Sequence, residues 1–226
     1  MSYGESYRWG SCMEKKAGNL IVISGFSGAG KGTIVKKLIE EYDNYELSVS
    51  MTTRAPRPGE VHGVHYFFST DEEFEKIIAD NGMIEYAGYC GHYYGTPRAF
   101  VEQKLAEGKD VILEIEIQGA QKVRRQFPYA VLLFVMAPSA KVLHQRLTGR
   151  GTESEEVIRG RMWRAVEESE EVDTYDYVVI NDDLEECVKQ VHGIVTAAHA
   201  RPSQNQEFIN TIKQELKDIL KGEEEQ

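Results

Sequence analysis

The segment from residue 20 to residue 41 constrains this chain more than any other. An apolar run, Leu20-Ile21-Val22-Ile23, leads straight into Gly25-Phe26-Ser27-Gly28-Ala29-Gly30-Lys31-Gly32-Thr33, and a helix-like stretch follows over 34–41. Strand, glycine loop, lysine and helix in this order form the context of a phosphate-binding loop. Glycines let the backbone curl until several N–H groups point at one spot. The helix N-terminus adds partial positive charge there, and Lys31 adds a full charge that reaches the outer phosphates of a nucleoside triphosphate. A plain glycine-rich turn would need neither the lysine nor this spacing. The hydroxyl that usually follows the lysine and binds Mg²⁺ directly is absent. Gly32 stands there, and the hydroxyl comes one place later on Thr33, which favours metal contact through water. Gly-Lys-Gly-Thr also occurs in small nucleotide kinases, and the departure points toward that group.

Beyond the loop, apolar strands alternate with helical patterns, which predicts an α/β fold with a mostly parallel sheet covered on both faces. Strands are expected over 19–24, 46–51, 64–68, 83–89, 110–116, 130–136 and 176–181. Helices are expected over 31–42, 71–80, 97–107, 119–126, 139–148, 153–170 and 183–198. Thr70 with Glu73, and Thr152 with Glu155, have capping-box spacing. Thr96-Pro97 puts proline at a first helical position, and Asn81-Gly82 and Gly108 read as helix stops. Residues 1–18 are polar and aperiodic and are expected to be loosely ordered. Met13 is an alternative start. Arg201-Pro202-Ser203 reads as a hinge before a polar helix over 206–221. The apolar stripe of that helix is Phe208, Ile209, Ile212, Leu216, Ile219 and Leu220, and it is expected to dock on the same domain rather than on a second copy.

The length, 226 residues, suits one domain. The longest apolar stretch, 130–137, falls far short of the ~20 residues that span a bilayer, so no membrane partner is expected. The net charge of −11 argues against a broad nucleic-acid surface. Cys12, Cys90 and Cys187 are scattered without metal-ligand or disulfide spacing, which fits a reducing cytoplasm. Against this acidic background, the segment 50–60 stands out. It is rigidified by two prolines and carries Arg54 and Arg57 three residues apart, and the planar guanidinium fork of arginine suits phosphate. Tyr66, Glu85 and Tyr93-Tyr94-Gly95-Thr96 follow. For any one of these a solvated surface role would be the simpler reading. Two arginines, tyrosine hydroxyls and a lone carboxylate downstream of a phosphate loop together suggest a second nucleotide site.

From residue 19 to 198 the sequence resembles the guanylate kinase family. The resemblance rests on Gly28-Ala29-Gly30-Lys31, Ser50 through Arg57 with Pro58-Gly59-Glu60, and Glu85 within 83–86. It continues through Tyr93-Tyr94-Gly95-Thr96, Leu113-Glu114-Ile115-Glu116, Gln118-Gly119-Ala120, the segment from Arg146 through Arg150 to Thr152, and Ile180-Asn181-Asp182-Asp183. It implies a P-loop kinase fold, a three-layer α/β/α core over 19–48, 100–139 and 162–198. A small mixed α+β GMP-binding insertion would cover 49–99 and a lid 140–161, with 199–226 a helical extension. It implies that Arg54, Arg57, Tyr66 and Tyr94 hold the GMP phosphate. Ser50, Glu85 and Thr96 would read guanine, and Glu116 would lie near the guanine amino group. The family often has Ser at Thr96, Asp at Glu116 and Pro at Phe26.

The implied reaction is phosphoryl transfer from MgATP to GMP. ATP would lie on Phe26, Ser27, Gly28, Ala29, Gly30, Lys31, Gly32 and Thr33, with Arg150 and Asn181 toward adenine. Lys31, Arg54, Arg146, Arg150 and Arg161 would carry catalysis by neutralising two phosphates brought into line. Mg²⁺ is the expected cofactor, held near Thr33 and Glu114 through water. Guanine chemistry agrees independently. Its N1–H and exocyclic amine lie side by side, and a carboxylate such as Glu85 accepts both, whereas adenine offers no such donor pair on that edge. Losses of that kind reach ~10⁴-fold. A monophosphate kinase for another base, a kinase-like scaffold and a P-loop switch protein are the competing readings. The state is expected to be a monomer or a homo-oligomer.

Overall fold

In β1 (Leu20–Gly25), Ile21, Val22 and Ile23 have no exposed surface, as a strand buried on both faces requires. The computed structural model describes residues 17–89, 91–149 and 154–224. β1 is followed by α1 (Lys31–Glu41), β2 (Tyr45–Leu47), β3 (Met51–Thr52), β4 (Phe67–Phe68), α2 (Asp71–Ala79), β5 (Met83–Tyr89), β6 (His92–Pro97) and α3 (Arg98–Ala106). The remaining elements are β7 (Asp110–Glu114), α4 (Ile117–Gln126), β8 (Val131–Met136), α5 (Ala140–Thr148), α6 (Glu155–Ser169), β9 (Tyr177–Ile180), α7 (Leu184–Ala198) and α8 (Gln206–Glu224). No helix among the described residues is long and apolar enough to cross a membrane.

The main sheet is parallel, in the order β2-β7-β1-β8-β9. Alternate residues of β1 feed two cores. Ile21 and Ile23 join Ile34, Val35 and Leu38 of α1 with Val188, Val191 and Val195 of α7. Leu20 and Val22 join Val101 of α3 with Ala120 and Val123 of α4. This is the expected three-layer α/β/α P-loop kinase architecture. Its parallel strands all end on one edge, where ligands bind in open α/β sheets. At the opposite edge, the buried Asp110 accepts bonds from the Asn19 backbone N–H (2.7 Å), Asn44 Nδ2 (2.7 Å) and His199 Nε2 (2.9 Å).

A second sheet of order β4-β3-β6-β5 forms the insertion. The expected strand over 46–51 divides here: β2 pairs with β7 in the main sheet, while β3 pairs with β6 in the small one. The strand expected over 64–68 shortens to β4. β6 lies outside the strands that the sequence pattern predicts. Its last residue is Pro97, which ends the strand opposite Met83 and serves as the N-cap of α3 rather than as its first helical residue. A missing N–H is tolerated at such a boundary. α4 begins two residues earlier than expected, at Ile117.

The Thr70–Glu73 capping box is present in both directions. At α6, Ser154 is the N-cap, its hydroxyl accepting from Val157 N–H at 3.4 Å. Thr152 lies outside the described residues, as do Met13, Cys12, Cys90 and residues 1–16 generally. α2 and α3 end in paired 6→1 and 5→2 backbone bonds, with Asn81 (φ 54°) and Gly108 (φ 81°) in the left-handed region. Gly18, expected to be loose, is tied by its N–H to the Leu105 carbonyl at 2.9 Å. The expected hinge is a 3-10 turn over Pro202–Gln204, pinned by Gln204 Nε2 to Asn19 Oδ1 at 2.9 Å. α8 does not dock its stripe on the domain. Phe208, Leu216, Ile219 and Leu220 are each about 60% exposed and Ile212 38%.

Candidate active site

The loop between β1 and α1 turns tightly, with Ala29 N–H donating to the Phe26 carbonyl at 3.0 Å. Phe26 is buried, its ring packed edge-to-face on Phe134 at 5.1 Å between centroids. A hydrophobic anchor therefore fixes the turn where a proline would stiffen it. Gly30 is the N-cap of α1 at φ 96°, and a Cβ there would sit 2.4 Å from Asn181 Nδ2. Only glycine meets both demands.

Lys31 Nζ donates to the Gly25 carbonyl at 2.6 Å and to the Phe26 carbonyl at 3.3 Å. Burial lowers its pKa, and Glu114, Glu116 and Glu168 oppose that shift. Glu114, at the end of β7, faces Gly32, whose Cβ position is 3.7 Å from Glu114 Oε2. Desolvation raises the pKa of Glu114 while Lys31 holds it down. Thr33 is exposed in the first turn of α1.

The loop is held from the far side by side chains. The buried Asn181 donates from Nδ2 to the Ala29 carbonyl at 2.8 Å. Arg146 of α5 donates to the Asn181 carbonyl at 2.8 Å and reaches the Ala29 carbonyl at 3.5 Å. Arg161 of α6 donates to Ser27 Oγ. Gly28, Gly30, Thr33, Arg146, Gly149, Asn181, Asp182 and Leu184 line a cleft of about 530 Å³ beside the loop. Arg150 lies outside the described residues.

The small sheet gathers a second cluster. Arg54 Nη2 donates to both carboxylate oxygens of Glu60, at 2.9 and 3.0 Å, in an ion pair. Its guanidinium lies 5.5 Å from the centre of the Tyr66 ring, and that ring stands 6.1 Å from Tyr94. The Glu60 bond, with Tyr94 adding to it, stabilises the charged form of Arg54. Glu60 also accepts the Arg57 backbone N–H at 2.7 Å, and Arg54 followed by Arg57 holds its carboxyl below the usual carboxylate range. The Arg57 side chain itself points to solvent. Ser50 supplies its carbonyl to Phe67 N–H at 2.8 Å, joining β3 to β4.

Glu85 on β5 faces the buried Thr96 on β6, which donates from Oγ1 to Oε1 at 2.7 Å. Desolvation raises the Glu85 pKa, with Thr96 and then Lys122 opposing. Its other oxygen, Oε2, comes within 3.2 Å of the Cβ position of Gly119, in the first turn of α4. The β7–α4 turn therefore stands between the two halves. It carries Glu114 toward Lys31 at one end and supports Glu85 at the other. Glu116, the N-cap of α4, makes no capping bond and is paired with Arg164 of α6 at 3.0 Å.

The guanylate kinase family model matches residues 17–198. The chain is 50% identical over 201 residues to the guanylate kinase of Caldanaerobacter subterraneus subsp. tengcongensis, covering 89% of this chain and 98% of that one. It is 52% identical over 189 residues to the guanylate kinase of Halalkalibacterium halodurans, covering 84% and 93%. The chain belongs to the guanylate kinase family. A crystal structure of guanylate kinase from Anaplasma phagocytophilum matches the fold with a TM-score of 0.64 and 33% identity, over 84% of this chain and 90% of that one.

Within this guanylate kinase fold, Lys31, Arg146, Arg161 and Asn181 converge on the loop, and Arg54, Tyr66 and Tyr94 form a separate group with Glu60. Glu85 and Thr96 form a pair, while the Arg57 side chain stays apart. Sequence reasoning gave no role to Glu60, Gly119, Arg164 or Glu168. Glu60 stands six residues after Arg54, a spacing that a tight turn closes. Gly119 and Arg164 act across elements and leave no local signal.

Proposed function

We propose that the chain transfers the terminal phosphoryl group of ATP to GMP, giving ADP and GDP, with the residue roles below. Family membership carries the reaction, ATP-dependent phosphorylation of GMP. The observation that supports the choice of base is Glu85, a desolvated carboxylate held by Thr96 against the first turn of α4. Glu85 would accept N1–H and one amine hydrogen of guanine, and Glu116 the second amine hydrogen. Ser50 and Thr96 would complete the contact. Arg54, Tyr66 and Tyr94 would bind the GMP phosphate, with the Arg57 side chain swinging in. The functional parts would be the core, the GMP-binding segment 49–99 and the lid 140–161.

The acceptor is a phosphate oxygen with a second pKa of about 6, already largely deprotonated at neutral pH. No general base is needed. The barrier is the approach of two anions in line with water excluded. Lys31 and the loop amides would serve the donor phosphates. Arg146, Arg150 and Arg161 would close positive charge over the transferring group. Adenine would enter the cleft lined by Asn181, Asp182 and Leu184.

Magnesium fits the oxygen donors available. Thr33 and Glu114 flank Gly32 at the head of α1, and hard oxygen ligands with retained waters suit this ion. Among the described residues no cluster of three or more His, Cys, Asp or Glu could hold a metal alone, so phosphate oxygens would supply part of the shell. When bound, the ion would neutralise charge on the donor phosphates. Cys187, a free and buried thiol, suits the reducing cytoplasm proposed as the location.

The test is a coupled ADP-release assay with MgATP against GMP, dGMP, AMP, UMP and CMP. GMP is expected to exceed AMP in kcat/KM by about 10³- to 10⁴-fold. Turnover of AMP without GMP overturns the substrate assignment.

A further inference from the structure

Glu116 has an unusual position for a carboxylate that terminates a helix. At the N-cap of α4 it has extended backbone geometry but makes no capping hydrogen bond. Its carboxylate turns instead to α6, where Arg164 donates from Nη2 to Oε2 at 3.0 Å. The same guanidinium donates from Nε to Glu168 Oε1 at 3.1 Å. Glu168 lies one turn along α6, and its side chain is only 13% exposed. One arginine thus bridges two carboxylates on two different elements, one of them firmly seated.

The surroundings explain why the bridge matters. Glu114, Glu116 and Glu168 all act electrostatically on Lys31. Burial and then the charge of Glu116 push the Glu168 carboxyl up, and Arg164 pulls it back. Without that cation, like charges would drive the exposed Glu116 side chain outward. An arginine fork fixes direction as well as charge, which a point charge does not. α6 also carries Arg161, which donates to Ser27 of the phosphate loop. The helix therefore touches the donor-phosphate loop and the β7–α4 turn at once.

We infer that Arg164 is a positioning residue for base recognition: it aims the Glu116 carboxylate at the guanine exocyclic amine and joins that contact to the helix that reaches the phosphate loop. This inference rests on the reading of Glu116 as acceptor for the second amine hydrogen. Exposed ion pairs of this kind add little to stability, so the consequence is in selectivity.

The test compares GMP with IMP, whose hypoxanthine base keeps N1–H but lacks the amine. Arg164→Gln is expected to lower kcat/KM for GMP about tenfold, as for a misplaced charged acceptor, while IMP changes less than about twofold. Glu116→Gln is expected to compress the GMP:IMP ratio as much, and the double variant no further than Glu116→Gln alone. An equal fall for GMP and IMP in Arg164→Gln marks a merely structural arginine and overturns the inference. A compressed ratio in Glu116→Gln with an unchanged ratio in Arg164→Gln overturns the inference and leaves the reading of Glu116 standing. An unchanged ratio in Glu116→Gln removes both.

Discussion

Water is largely withheld from the Glu85 carboxylate, and on the proposed reading the protein tolerates this because the ionised group has guanine to meet. Its pKa is raised above the unfolded value, so the native state binds its proton more tightly than the unfolded chain does. The stability it contributes is full below the ordinary carboxylate pKa and is lost as pH rises through the raised one. At pH 7 the ionised group is a burden. Glu85→Gln keeps an oxygen for Thr96 and removes that burden. We expect a higher Tm at pH 7, with the advantage vanishing in acid, measured by thermal melts across pH. The same variant is expected to lower kcat/KM for GMP by about 10- to 100-fold and to leave KM for ATP nearly unchanged. Its pH profile retains the limb near 6 of the GMP phosphate and loses the limb of Glu85.

Among the elements, α4 decides where Glu85, the proposed base reader, sits. A Cβ at Gly119 would stand 3.2 Å from both Glu85 Oε2 and Ile115 Cδ1, so the carboxylate has to shift by a few tenths of an ångström to admit it. Gly119→Ala is expected to raise KM for GMP about tenfold while KM for ATP stays within about twofold, since the loop at Lys31 lies at the other end of the turn; the shift corresponds to a partly lost charged hydrogen bond. Steady-state kinetics with each nucleotide varied checks this. Such effects mark the boundary of what the chain spells out. β1, its loop and α1 are legible because apolar run, glycines and lysine are contiguous. The Thr70–Glu73 cap is legible for the same reason. The division of 46–51 between two sheets is not, because Tyr45 through Met51 alternates without a break and only the partners, β7 and β6, separate the halves. β6 escaped because Pro97 suggested a helix start. The sequence singles out Glu85 and Thr96 separately, but their contact depends on strand register. The pairing of Glu116 with Arg164 depends on how α6 lies beside α4.

At the scale of the whole molecule, the glycine loop with Lys31 lies at one edge of the main sheet and a polar clasp at the other. Asp110 there is 1% exposed and satisfies donors from three segments of chain. Asp110→Ala strands those donors and is expected to cost about 3–5 kcal/mol, the range for breaking a buried charged network. Chemical denaturation measures the loss. The kcat per folded molecule should hold, because the clasp and the phosphate loop sit at opposite ends of β1. The clasp binds Asn19 and His199 side by side, and Gln204 adds a further stitch to Asn19. The described chain thus enters and leaves the body of the main sheet at neighbouring points, at the opposite end of β1 from the proposed nucleotide cleft. A fluorescent tag or affinity handle joined to the body at this clasp lies at the end of β1 away from the phosphate loop, so a surface coupled there leaves the proposed nucleotide cleft facing outward.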